Sequence, residues 1–125
     1  MPRYLVDGMN VIGSKPDGWW RHRHKAQRSL VEQMGEFARR AGCEVTVVFD
    51  GRPHEIEAPA RISVMFATRG GPDAADDDIA RLVEADPEPH ELTVVTSDAD
   101  LAGRVRRAGA DTLGARGFRE LMATD

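Results

Sequence analysis

Cysteine is nearly absent. Cys43 stands alone among 125 residues, so no internal disulfide can form and nothing points to an oxidising compartment. It precedes an apolar stretch and reads as a small core residue. Lysine is scarce too: Lys15 and Lys25 are the only two, and neither follows a predicted strand. No apolar run approaches the length of a membrane span. A charged residue arrives at Asp7, too early for a signal peptide, so a soluble cytoplasmic protein is expected. His22, His24, His54 and His90 lack metal-ligand spacing and read as solvated side chains. Repeats and low-complexity tracts are missing, and the glycines and prolines punctuate turns. One domain over residues 1–125 is expected.

What is present is 41% hydrophobic and 30% charged residues, a globular composition. The net charge of −4 does not advertise nucleic-acid binding, but the charges are segregated. Acids crowd into Asp73–Asp78; bases crowd into Arg21–Arg28 and Arg104–Arg107. An acidic cluster that binds divalent cations would no longer repel a polyanion, so the formal charge understates affinity for phosphate chains.

Hydrophobic patterning predicts strands at Arg3–Val6, Glu44–Phe49, Arg61–Ala67, from Thr93 through Val95, and a short fifth at Ala110–Leu113. Helices are predicted at Ala26–Ala41, Asp73 to about Ala85, Ala99–Ala108 and Ala115–Met122. In the first, Leu30, Met34, Phe37, Ala38 and Ala41 make one apolar face. Met9 to about His24 reads as a long loop, Arg52–Ala60 as a second and Thr68–Pro72 as a third. Strands alternating with helices argue for an α/β fold, a mostly parallel sheet with helices on both faces. Glu44–Phe49 is nearly continuous in apolar and β-branched residues, as a strand covered on both faces should be.

Three predicted strands end in aspartate: YLVDG in Asp7, VTVVFDG in Asp50 and TVVTSDAD in Asp98, with Asp100 two residues on. Asp76, Asp77 and Asp78 open the helix after the third strand. In a parallel sheet all of these share one edge, where open α/β sheets place their chemistry. Each has a purely local reading. Asp7-Gly8 and Asp50-Gly51 are turn dipeptides, Asp98 or the Ser97-x-x-Asp100 pair fits a helix cap, and Asp76–Asp78 complement a helix N-terminus. Their convergence on one edge is what argues for a shared site. Converging carboxylates need a cation to stay ionised, and no lysine is placed to supply it. All-oxygen ligands suit Mg²⁺ or Mn²⁺, and such metals support phosphodiester hydrolysis. Asn10 and Ser97 either orient the phosphate or a water there, or serve as a turn amide and a helix cap. Arg21, Arg23, Lys25 and Arg28 offer phosphate contacts, and Trp19 and Trp20 offer rings for unpaired bases. The other reading is that one tryptophan packs beneath the loop and the charges are a solvated entry to the helix; one tryptophan buried and one available is expected. Arg104, Arg106 and Arg107 are either a second phosphate contact or an exposed helix face.

YLVDGMNVIG, VVFDG, AADDDIARLV and VVTSDADL, in that order, resemble the NYN domain of the PIN-like nuclease superfamily. They are most similar to its bacterial YacP-like branch, from about Tyr4 to Leu121. The resemblance implies a PIN-like Rossmannoid, three-layer α/β/α fold of about five strands and a metal-dependent endoribonuclease leaving 5′-phosphate and 3′-hydroxyl ends. By motif position Asp7, Asp76, Asp98 and Asp100 would be the metal acids, with Asn10 the companion of Asp7. Asp50 matches a second-strand aspartate of the family, and Asp77 and Asp78 rank below Asp76. RNA, single-stranded or unpaired, would be the partner. That branch includes a ribosome-associated mRNA endonuclease; its members run on past the last helix, and the stop at Asp125 counts against ribosome docking.

Two rival readings remain at this level. One is a PIN-like module that grips RNA without cutting it, which leaves so many uncompensated carboxylates without a purpose. The other is a small-molecule phosphohydrolase. The aspartyl-phosphate enzymes carry Asp-x-Asp after the first strand, and here that position reads DGMN.

Overall fold

Five short β-rich segments build one sheet: β1 (Arg3–Asp7), β2 (Glu44–Phe49), β3 (Ile62–Phe66), β4 (Leu92–Val95) and β5 (Asp111–Leu113). The computed structural model describes residues 2–71 and 73–124; Pro72, read from sequence as loop, lies outside the described residues. The strand order is β3-β2-β1-β4-β5, and every neighbouring pair is parallel. Among the described residues five helices accompany the strands: α1 (Gly8–Gly13), α2 (Arg23–Ala41), α3 (Ala74–Ala85), α4 (Ala99–Arg107) and α5 (Ala115–Ala123). Single 3₁₀ turns occur at Trp19–Arg21 and Pro89–Glu91.

Successive residues of a strand point to opposite faces, and here both faces are covered. Val6, Val47, Phe49 and Val95 pack with residues of α1, α2 and α5, among them Val11, Leu30, Met34 and Phe118. Leu5, Val48 and Val94 pack on the other side with Ile79 and Val83 of α3 and Leu101 and Val105 of α4. This is the three-layer α/β/α arrangement that the motifs and alternation imply. Cys43 is buried in the first core.

From β1 the chain steps outward through β2 to β3, then α3 carries it back across to β4 on the other side of β1. The direction of winding therefore reverses between β1 and β4. Such a reversal opens a crevice at the carboxyl ends of the two strands, which here are Asp7 and the Thr96–Asp98 loop.

The sequence-based loop from Met9 to His24 is a correction. Residues 8–13 form α1, Trp19–Arg21 form a 3₁₀ turn, and α2 begins at Arg23 rather than Ala26. Asp7-Gly8 is not a simple turn. A Cβ on Gly8 would lie 2.4 Å from Cδ1 of Phe49, so glycine alone lets the chain turn into a helix this close to β2. Val11 and Ile12 then bury in the core. The remaining element boundaries differ from the sequence reading by about a residue, the usual fraying of element ends.

Candidate active site

Asp7 ends β1 with only 5% of its surface exposed. The buried Thr96 donates its hydroxyl to Asp7 Oδ2 at 3.2 Å and accepts the Asp98 N–H at 3.1 Å. One threonine thus links the ends of β1 and β4. Burial, then the charge of Asp76, push the Asp7 carboxyl up to about 7, with Asp50 adding to the effect. Bonds from Thr96 and the Asn10 backbone offset part of it.

Asp76 lies half-buried in the first turn of α3. Its carboxyl is raised to about 6 by burial, then by Asp98, Asp73 and Asp50, against a lowering by Arg104. Asp98 is the N-cap of α4, its Oδ1 accepting from Leu101 N at 3.0 Å. The local cap reading therefore holds for Asp98, without removing it from the edge. Asp73, Asp76 and Asp98 each offer a carboxylate oxygen, and these atoms lie within 4.8 Å of one another. Asp50, just past β2, accepts from Ala75 N at 2.9 Å. It thereby closes the start of α3, where Asp73 sits in the left-handed region at φ 60° and makes no side-chain cap of its own.

The other acids go elsewhere. Consecutive helical residues turn by about 100°, so Asp76, Asp77 and Asp78 face three ways. Asp77 pairs with Arg69 and Arg104. Asp78 is buried, accepts from Thr68 N at 2.7 Å and pairs with Arg81, a tie between α3 and the loop after β3. Asp100 is exposed on the first turn of α4, outside the group of three. Asn10 Oδ1 accepts from Ser97 N at 2.8 Å, and Ser97 Oγ accepts from Ala115 N at 3.0 Å. Both residues therefore tie α1, the β4 loop and α5 together at this edge.

Asp73 and Thr96 escaped assignment from sequence. Asp73 was visible only as part of an acidic run, because its approach to Asp98 depends on α3 and α4 packing together. Thr96, within the TVVTSDAD stretch, carries no sequence signal for what it touches.

On the α2 side of the sheet, Trp19 is half-buried against the core and Trp20 is 60% exposed, with their rings edge to face at 6.1 Å. Arg21, Arg23, Lys25 and Arg28 are exposed. The Arg23 guanidinium lies 5.8 Å from the Trp19 ring centroid, and its Nε is close to Gly51, next to Asp50. His54 corrects the reading of the histidines as merely solvated. It is half-buried, stacks on His24 at 3.7 Å, and donates to Oε1 of the buried Gln27 at 2.5 Å. Burial, then His24 and Arg28, lower its pKa.

Residues 4–125 match the family model described as the YacP-like NYN domain. The chain belongs to the YacP-like NYN family. This is a family of PIN-like nucleases, and an acidic group at the carboxyl edge is compatible with it. The crystal structure of Rae1 (YacP) from Bacillus subtilis is similar at 28% identity and a TM-score of 0.75, over 97% of this chain and 74% of that one. A single-substitution variant of the same protein gives 30% identity and a TM-score of 0.77, over 97% and 75%. UPF0178 proteins of Xanthomonas oryzae pv. oryzae, strains PXO99A and MAFF 311018, are 42% identical over 81 residues, 64% of this chain and 45% of theirs. The matched stretch is thus about half the length of these curated relatives. Among the described residues no helix is long and apolar enough to cross a membrane.

Proposed function

We propose that this protein is a metal-dependent endoribonuclease, acting as a single domain in the cytoplasm on unpaired RNA. The observation that carries the reading is the meeting of Asp73, Asp76 and Asp98 within 4.8 Å, beside a buried Asp7. Asp7 and Asp76 are both pushed up in pKa, first by burial and then by neighbouring carboxylates. A hard divalent cation relieves that strain, and an all-carboxylate donor set suits one.

Asp7, Asp76 and Asp98, joined by Asp73, would hold the cation, with Asp50 behind them and Asp100 on the solvent side. Bound Mg²⁺ or Mn²⁺ supplies a Lewis acid for the scissile phosphate and a water acidic enough to attack it at neutral pH. The protein's own part is positional. Thr96 fixes the Asp7 carboxylate, and Asn10 grips the backbone at Ser97, steadying the loop that carries Asp98. The exposed Trp20 ring offers a stacking surface for an unpaired base, while Arg21, Arg23, Lys25 and Arg28 offer contacts to the backbone. Water attack in line leaves 5′-phosphate and 3′-hydroxyl ends.

The test is cleavage of end-labelled single-stranded and hairpin RNAs by wild type and Asp98→Asn, in EDTA, Mg²⁺ or Mn²⁺. Asparagine keeps the cap acceptor for Leu101 and removes the charge. Cutting should require metal, vanish in the variant and leave the stated ends. Identical traces from the two proteins, or products ending in 2′,3′-cyclic phosphate, would sink this mechanism.

A further inference from the structure

Asp77 turns away from the group formed by Asp73, Asp76 and Asp98, and its two oxygens are taken by arginines from different elements. Arg69, in the loop after β3, donates to Oδ2; Arg104, on α4, donates to Oδ1 at 3.1 Å. The Arg69 side chain is 67% exposed and that of Arg104 41%. The Asp78–Arg81 pair makes a contrast. Asp78 is buried and also holds the Thr68 backbone, so it has structural work to do. The Asp77 bridges are open to water, where such pairs add little to stability. Arg104 also lies close enough to pull down the Asp76 carboxyl. Arg106 is not part of this arrangement, since it donates to Thr112 at 2.9 Å. Two guanidinium groups therefore converge on one pair of acceptor oxygens at the rim of the acidic group. They sit with α3 and α4, on the opposite face of the sheet from α2.

We infer that Arg69 and Arg104 form a phosphate-binding site for the RNA strand, and that Asp77 fills it in the free protein as a stand-in for phosphate. Two non-bridging phosphate oxygens present the same acceptors as a carboxylate, and guanidinium groups bind either one in the same way. Asp77 is on this account a competitor of the substrate and not a metal ligand. The strand would run from Trp20, across the acidic edge, to the arginine pair. The inference rests on the nuclease reading.

The experiment is fluorescence anisotropy of a short, unstructured, end-labelled RNA across a salt series, with Ca²⁺ replacing Mg²⁺ to neutralise the acids while binding is read. Wild type is compared with Asp77→Asn, Arg69→Ala and Arg104→Ala, and melting temperatures are recorded alongside. Asp77→Asn should bind several-fold more tightly. Each arginine variant should bind more weakly and lower the slope of log affinity against log salt by about 0.7, the value for one contact to a single strand. Arg69 lies in a loop, so its variant gives the readout without disturbing a helix. Cleavage of the same RNA in Mg²⁺ is followed in parallel. Wild type that binds and cuts, with arginine variants matching its affinity and slope or Asp77→Asn weakening it, overturns the inference and leaves the nuclease reading standing. Wild type that neither binds nor cuts overturns both.

Discussion

Thr96 does two jobs with one oxygen: it donates to Asp7 and accepts from the backbone of Asp98. Valine has the same shape and neither capacity. Thr96→Val would leave a buried carboxylate without its hydroxyl donor and a backbone N–H without its acceptor. The expected cost is about 1–3 kcal/mol of stability, measured by urea unfolding, with weaker Mg²⁺ binding by titration. Thr96→Ser should restore most of both. If valine matched wild type in both measurements, the link between the two strand ends would carry no weight. The three aspartates opening α3 make the same point about single residues. As a run of letters Asp76, Asp77 and Asp78 look alike. Helical rotation gives them three different neighbourhoods, and only Asp76 joins the acidic group.

Among the elements, α1 depends most on others. It has six residues, too few to be stable alone and too few to show a helical period between flanking glycines. That is why it reads as loop, whereas β2, nearly continuous in apolar and β-branched residues, is legible to the residue. Its C-terminal carbonyls are closed by Arg119 of α5, which donates to Val11 O at 2.7 Å and to Ser14 Oγ at 2.7 Å. No pattern within residues 8–13 could announce a partner so far along the chain. Because α1 carries Asn10, loosening it loosens the grip on Ser97. Arg119→Ala should cost about 1.5–3 kcal/mol, the range for hydrogen bonds to charged groups. Thermal melting checks the stability, and the KM for RNA cleavage should change less than kcat. An unchanged melting temperature would mean that α1 is held by Gly8 and its buried valine and isoleucine alone.

At the scale of the whole molecule, stability should follow the charge of the acidic edge. Asp7 and Asp76 have native pKa values of about 7 and about 6, both above the unfolded value. The folded state therefore binds more protons than the unfolded one. Their contribution is fully present below about pH 4 and is lost as pH rises through 6 and 7. His54, lowered in the fold by burial, works in the opposite sense, losing its contribution as pH falls below the ordinary histidine range, and Asp77 and Asp86, held low by arginines, act below the usual carboxylate range. Comparison with Asp7→Asn isolates the Asp7 share. In EDTA, wild type should lose melting temperature between pH 5 and pH 8 relative to Asp7→Asn, and Mg²⁺ should recover more of it at pH 8 than at pH 5. Parallel pH curves for the two proteins in EDTA would contradict the burial of a shifted Asp7. The layered sheet, and the edge on which the acids meet, were readable from alternating strands and strand-terminal aspartates. Asp76 and Asp98 were named from their motifs, but the approach of Asp73 to Asp98 was not legible, because it depends on the packing of α3 on α4.

The central position of β1 has a consequence for how the chain comes together. Its neighbours are β2 and β4, and the Thr96–Asp7 bond joins residues 89 apart in sequence. Parallel pairing over such spans is slow, because long loops must close before contacts repay them. On the ribosome, Asp7, Asp50, Asp73 and Asp76 emerge before β4, the strand that leads to Asp98. Until β4 arrives, β1 has one open flank and Asp7 has no hydroxyl to hold it. A nascent chain therefore completes its acidic edge only once β4 and Asp98 have been made and the sheet closes.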